Sequence, residues 1–300
     1  MWSVFVSLLP AGIAAIFIFG SKALLVILLG VISAMATEGL LQYFNKKKIT
    51  LSDGSAALTG LLLSYNLPAN SPWWLVVIGS FFSVAIGKQI FGGLGQNIFN
   101  PALVGRVFLM ACWPKYMTDF MKPLNAGINL FKSFSYDAIT AATPLMIAKE
   151  GKIIPDISYW DLFLGNRGGC LGEVCILALL AGALFLLIKK YISWHIPIIY
   201  IATVGLLSWI FGAKGLFSGN FLFSILSGGL ILGAFFMATD YVTSPLTRKG
   251  QIIFAAGCGI LTAVIRLWGG YPEGVSYAIL MMNAATPIID RYTKNRIFGK

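Results

Sequence analysis

From Met1 to Asn45 the only charged side chains are Lys22 and Glu38. A run of about 18 apolar residues is long enough to cross a bilayer core as a helix. On a soluble surface the same run would leave apolar patches large enough to aggregate. The pattern persists along all 300 residues, of which 58% are hydrophobic and 11% charged, with a mean hydropathy of +0.83. Soluble domains carry about 25% charged residues, so this chain reads as an integral membrane protein. No basic stretch precedes FVSLLPAGIAAIFIFG and no A-x-A cleavage pattern follows it. The segment is therefore expected to be the first membrane helix, not a removed signal peptide.

The net charge of +11 is not read as a nucleic-acid footprint, because no basic residues interleave with aromatics. In a membrane protein, Lys and Arg gather at cytoplasmic ends. The four cysteines, Cys112, Cys170, Cys175 and Cys258, form no C-x-x-C pair. They read as small apolar residues, with a metal or cluster site as the alternative.

The periodicity predicts an all-α protein of ten transmembrane spans, at 2–20, 23–44, 55–67, 72–88, 99–113, 171–188, 196–211, 221–237, 251–267 and 274–289. Several are short for a bilayer, and short or interrupted helices in transport folds line cavities. With the N-terminus inside, the short inner loops hold most of the Lys and Arg, and the short outer loops hold only Lys22 and Lys214. Both termini are then cytoplasmic and 114–170 is extracytoplasmic. FGGLGQNIFNPAL at 91–103 is similar to WGGYPEGVSYAIL at 268–280, an offset of 177 that also relates Pro68 to Pro245. Two five-span repeats follow, 1–113 and 171–300, flanking the segment 114–170. Five is odd, so the repeats insert with opposite orientation.

The tetrapeptide AATP occurs twice, ending at Pro144 and at Pro287. Thr286, inside an apolar run, is expected to hydrogen-bond back to its own helix, with Pro287 kinking or ending that helix. Thr143 lies in the one long polar segment, at the head of TPLMIAKEG. It reads as the N-cap of a short helix with Pro144 at the first position. Two readings stand on spacing alone: a cap and nothing more, or an anion site at a helix N-terminus.

The window DAITAATPL is similar to the flavinylation motif D-x-x-[ST]-G-A-T. That motif marks the RnfD membrane protein of Rnf-type electron-transport complexes and its counterpart in the sodium-pumping NADH:quinone oxidoreductase. The segments SDGSAALTGLLLSYNLP, GKQIFGGLGQNIFNPALVGRVFL, GAFFMATDYVTSPLTRKG and YPEGVSYAILMMNAATPIIDRY resemble the same family. The resemblance implies FMN joined to Thr143 through a phosphoester, with Asp137 and Thr140 as motif partners. Ala141 stands where the motif usually has glycine, which leaves the acceptor intact. The second copy lacks the aspartate, since Leu280 occupies that position. A first span starting at residue 2 and a proline after the acceptor favour the Rnf protein over its relative.

The resemblance further implies a second flavin, riboflavin, on the cytoplasmic side near Asn97, Asn100 and Asp240. A glycine-rich turn approaching a ligand and close helix packing both account for GGLGQNIFNP. Asp240 could equally belong to a charged inner loop. Glu38 and Arg106 are the ionisable residues deepest in the spans. Such groups face a protein interior or water and mark function by default. They are open to neutralising each other or a flavin phosphate, to gating an ion, or to forming a structural pair.

The resulting expectation is a flavin-carrying subunit of a bacterial inner-membrane redox pump, surrounded by lipid and not catalytic alone. Its partners would be the other subunits, including an extracytoplasmic FMN-carrying one, and a flavin transferase for maturation. By resemblance, the whole complex performs reversible ferredoxin:NAD+ oxidoreduction coupled to outward Na+ or H+ movement. The sequence shows no nicotinamide or ferredoxin site, so that reaction needs the partners. The rivals are the corresponding membrane protein of a quinone-reducing sodium pump and a solute channel of the urea-transporter type, which would need no flavinylation window.

Overall fold

The computed structural model describes residues 1–123, 143–149, 158–165, 167–212, 215–271 and 273–294. Asp137 and Thr140 lie outside the described residues. The fold is predominantly helical. Helix α1 (Trp2–Phe19) meets α2 (Ser21–Phe44) at Gly20. Next come α3 (Ser55–Tyr65) and α4 (Trp73–Val84), the latter running into a wider π-helical turn at Ala85–Gln89. Helix α5 (Pro101–Cys112) starts where the Asn100 side chain accepts from Ala102 N, with proline at the first position, as an N-terminal cap requires.

Three short helices follow, α6 (Pro114–Met117), α7 (Pro144–Lys149) and α8 (Tyr159–Leu164). Helices α9 (Ile176–Ile188) and α10 (His195–Ile210) lead to a small antiparallel hairpin of β1 (Phe211–Gly212) and β2 (Gly215–Leu216). The hydrophobic periodicity gave no sign of this hairpin. After it, α11 (Phe221–Leu226) and α12 (Leu230–Leu232) run into a second π turn, Gly233–Met237. Helices α13 (Arg248–Trp268) and α14 (Val275–Tyr292) close the chain.

By length and composition, α1, α2 and α13 are each long and apolar enough to cross a membrane. Their outer faces leave Phe17, Leu28, Ile32 and Ile260 exposed. An unpartnered apolar surface of that extent fits lipid rather than water. Helix α3 has eleven residues, all buried. At 1.5 Å per residue it is about 17 Å long, well short of a hydrocarbon core of about 30 Å. It is a half-span encased in protein, which its apolar sequence and flanking polar Asp53 and Asn66 permit.

Helix α2 packs on α3 and α4, and α4 on α5; α10 packs on α11 and α13, and α13 on α14. The two groups meet where α1 packs against α9 and α5 against α14. The end of α3 is also tied to the chain before α9: Leu171 N donates to Leu67 O (3.0 Å) and Gly172 N to Tyr65 O (2.8 Å). Tyr65, fully buried, donates its hydroxyl to Leu8 O at 2.7 Å, so a large ring is buried at no cost in unmet hydrogen bonding.

The crossing of α2 and α3 depends on missing side chains. A Cβ on Gly60 would stand 2.8 Å from the Gly30 carbonyl carbon and 2.9 Å from Ala34 Cβ. Small residues let helix backbones approach this closely. Gly60→Ala is expected to cost about 1–3 kcal/mol through overpacking against backbone, read as a lower midpoint of thermal unfolding in detergent.

Two local expectations need correcting. The segment 221–237 is not one helix: α11 ends at Leu226 and the chain bends through Ser227–Gly229 before α12. Of the two expectations for Pro287, kinking or ending the helix, only the ending is removed: α14 continues to Tyr292 with the proline inside it. Thr286 does bond back to its own helix, donating to Met282 O at 3.1 Å, and also to Thr243 O at 3.0 Å.

Candidate functional site

Thr143 sits at the head of α7 as a half-buried residue whose Oγ1 accepts from Met146 N at 3.3 Å. Pro144 occupies the first helical position, where its missing N–H leaves no orphan donor. Helix α7 is clamped to the C-terminal end of α13. Lys149 Nζ donates to Tyr271 O at 2.8 Å, Ile265 O at 3.4 Å and Gly269 O. Leu145 and Lys149 line a cavity of about 630 Å³ together with Phe211, Phe223, Arg266 and Trp268. That volume falls within the range of about 300–1,000 Å³ typical of small-molecule sites.

Asn97, Asn100 and Asp240 line a separate pocket of about 170 Å³, with Ser55, Lys88 and Tyr241. Both π turns contribute to its wall, through Lys88 and through Phe235 and Phe236; such turns recur at functional sites. Asn100 caps α5 and donates Nδ2 to Met237 O at 3.3 Å, which joins the two halves of the molecule. Asn97 donates to Phe99 O at 3.1 Å. Burial pushes the Asp240 carboxyl above its ordinary range, against the pull of the Val242 N–H and the Thr243 hydroxyl. The exposed lining residues Leu94, Tyr191 and Tyr241 form the mouth.

The two sites lie at opposite ends of α13. Ser193 Oγ donates to Gln251 Oε1 at 3.2 Å and Tyr241 donates its hydroxyl to Tyr191 O, which puts the smaller pocket at the start of that helix. Arg266 and Trp268 put the larger one at its end. A 21-residue helix is about 30 Å long, the thickness of a hydrocarbon core.

Glu38 and Arg106 do not neutralise each other. Glu38 is paired with Lys88, whose Nζ lies 2.6 Å and 2.8 Å from its two oxygens and 2.5 Å from Ser55 Oγ. Both Glu38 and Lys88 are 1% exposed. Lys88, the last residue of the fourth expected span, is buried next to a carboxylate and is its ion-pair partner. Lys88→Met leaves Glu38 buried and unpaired, a loss of about 3–5 kcal/mol. Replacing both, Glu38→Leu with Lys88→Met, should recover most of the thermal stability; a double variant no better than the single one would contradict that origin.

Arg106 bonds Glu273 and Asn66 and lies 3.6 Å from Glu173 Oε1. Arg167 Nη2 donates to Glu173 O at 2.9 Å. Arg266 donates to Ser224 O (2.7 Å) and Ser227 O (3.2 Å) at the bend before α12. Sequence reasoning missed Glu173, Glu273 and Arg167. Charged residues set among glycines, as in GNRGGCLGE and GGYPEG, were the available signal. This cluster reaches α7: a Cβ on Gly228 would stand 2.7 Å from Leu145 Cδ1, 2.9 Å from Glu273 Oε1 and 3.2 Å from Arg266 Nη2.

The profile of the NQR2, RnfD, RnfE family matches residues 1–299. The chain belongs to that family. Among its relatives, the RnfD protein of the Na(+)-translocating ferredoxin:NAD(+) oxidoreductase complex of Acetobacterium woodii is 50% identical, over 100% of this chain and 90% of the relative. The counterpart from the proton-translocating complex of Clostridium ljungdahlii is also 50% identical, over 100% and 91%. The counterpart from the ion-translocating oxidoreductase complex of Escherichia coli (strain SE11) is 38% identical, over 100% and 93%. As an NQR2, RnfD, RnfE protein with these apolar helices, the chain is a bacterial inner-membrane protein and one subunit of a larger assembly.

Proposed function

We propose that this chain is the RnfD component of an Rnf-type ion-translocating ferredoxin:NAD+ oxidoreductase and relays electrons through FMN held on Thr143 by a phosphoester. The observation that carries the reading is 50% identity across the whole chain to the corresponding component of two such complexes. The residues at Thr143 fit the cofactor. The hydroxyl is half-buried rather than sealed in the core, and it stands on a short helix whose next turn lines a ligand-sized cavity. FMN supplies the redox chemistry when bound; this chain's residues hold α7 in place, flank the attachment point and keep it beside that cavity. Asp137 and Thr140 serve recognition by a flavin transferase.

The smaller pocket is assigned to a second flavin, riboflavin, on the strength of the convergence of Asn97, Asn100 and Asp240. Asn97 and Asp240 bring side-chain acceptors to the pocket, while the Asn100 amide is engaged by Ala102 N and Met237 O and shapes the wall. At about 170 Å³ the pocket lies below the usual ligand range, so the ring enters only if the mouth residues Tyr191 and Tyr241 swing aside. The architecture we assign is ten spans in two inverted repeats, 1–113 and 171–300. Mirrored packing supports it: the repeats meet through α1 with α9 and α5 with α14, the pairs that a twofold axis relates to each other. Both termini are cytoplasmic and 114–170, with Thr143, faces outward toward an FMN-carrying partner subunit.

The test is vesicles containing the complex with and without this chain. Reduced ferredoxin should drive NAD+ reduction and ion movement only when it is present. Reduction of a quinone instead would place the chain in the related sodium pump. Solute flux without electron transfer would make it a channel.

A further inference from the structure

We infer that the cavity between α7, the β1–β2 hairpin and the end of α13 receives the isoalloxazine ring of the flavin on Thr143, and that Arg266 is the cation set against its electronegative edge. The inference rests on Thr143 bearing the flavin and goes further in naming where the ring lies and what governs its electron affinity.

Four observations converge. The cavity holds about 630 Å³ and begins two residues after Thr143, at Leu145. Its aromatic lining includes Phe211 and Trp268, in edge contact with ring centroids 5.6 Å apart; aromatic walls suit a flat tricyclic ring. Arg266 lines the same cavity at 8% exposure. Its two Nη atoms are committed to the Ser224 and Ser227 carbonyls, while its Nε has no hydrogen-bond partner. Nε is sealed from solvent, so what the guanidinium offers the cavity is its positive charge.

Charge points the same way. The buried cluster around Gly228 and Arg106 gathers three guanidiniums, Arg106, Arg167 and Arg266, against two carboxylates, Glu173 and Glu273. Glu273 is taken by Arg106 and by the Gly229 N–H at 2.5 Å. The arginine beside the cavity is left with the surplus positive charge. Two-electron reduction of a flavin with uptake of one proton leaves a single negative charge on the pyrimidine half of the ring, the electrons coming from the partner FMN subunit. A fixed cation there favours the reduced form, since charge near the ring tunes the potential.

The test uses the flavin-loaded complex with Arg266→Gln, Arg266→Lys and Trp268→Leu. In Arg266→Gln, spectroelectrochemical titration should show the reduced form of the Thr143-linked flavin at least tenfold less favoured, a downward shift of about 30 mV or more for a two-electron couple. Arg266→Lys should recover most of it. Trp268→Leu, which leaves the Ser224 and Ser227 bonds alone, should raise native flavin fluorescence by removing a stacked quencher while fluorescence after denaturation is unchanged. This second variant answers even if Arg266→Gln fails to fold. A covalently bound flavin whose potential and native fluorescence both ignore these changes would put the ring elsewhere and overturn the inference. A wild-type chain with no denaturation-resistant flavin would instead overturn the attachment at Thr143 itself.

Discussion

Arg106→Leu should cost about 3–5 kcal/mol, the penalty for removing one partner of a buried ion pair. The guanidinium is 5% exposed and joins three parts of the molecule: Asn66 at the end of α3, Glu273 before α14 and Glu173 before α9. Leucine fills the space but leaves two carboxylates near one another. Burial raises the Glu273 carboxyl, but Arg106, together with the Gly229 N–H, outweighs it and brings the carboxyl down to about 2. The sign of the pH dependence follows. In the wild type, the stability from Glu273 is present above the ordinary carboxylate range and is lost only as pH falls toward about 2. In Arg106→Leu, burial dominates and the folded-state value rises, so the variant gains stability as pH falls from about 7 to about 5. Thermal unfolding in detergent at both pH values measures this. A variant equally unstable at both would mean that packing, not charge, holds the cluster together.

Thr143→Val is expected to abolish denaturation-resistant flavin fluorescence while leaving the fold intact. Valine matches threonine in shape and lacks only the hydroxyl, so the phosphoester has no oxygen to form on. The structural loss is a cap bond, Thr143 Oγ1 to Met146 N at 3.3 Å, worth about 1 kcal/mol. Thr286→Val should leave the fluorescence unchanged, because that hydroxyl is 8% exposed and engaged by Thr243 O and Met282 O. Gel fluorescence of the three proteins, each expressed with a flavin transferase, reads this directly. Equal fluorescence in wild type and Thr143→Val would move the attachment elsewhere.

The long apolar helices were legible because a continuous run has one structural solution in a membrane. The sequence placed the first two at 2–20 and 23–44; the helices run Trp2–Phe19 and Ser21–Phe44. The break at Ser227–Gly229 was not legible. It is held by Arg266, whose bonds to the Ser224 and Ser227 carbonyls come from 42 and 39 residues away. The start of α9 at Ile176 rather than residue 171 has the same origin, since Leu171 and Gly172 bond backward to the end of α3. At the sites, the sequence marked Asn97, Asn100 and Asp240, and they line one pocket. It marked Glu38 and Arg106 without their partners. Lys88 is 50 residues from Glu38, and Glu273 is 167 from Arg106; hydropathy carries no information on such pairings.

Attachment of FMN at Thr143 is decided by the mass of the wild-type peptide spanning Ser135 to Lys149, released by proteolysis from the purified complex. The expected mass is that of the peptide plus FMN less one water, with fragmentation assigning the group to Thr143. An unmodified peptide from a complex loaded by an active flavin transferase would contradict it.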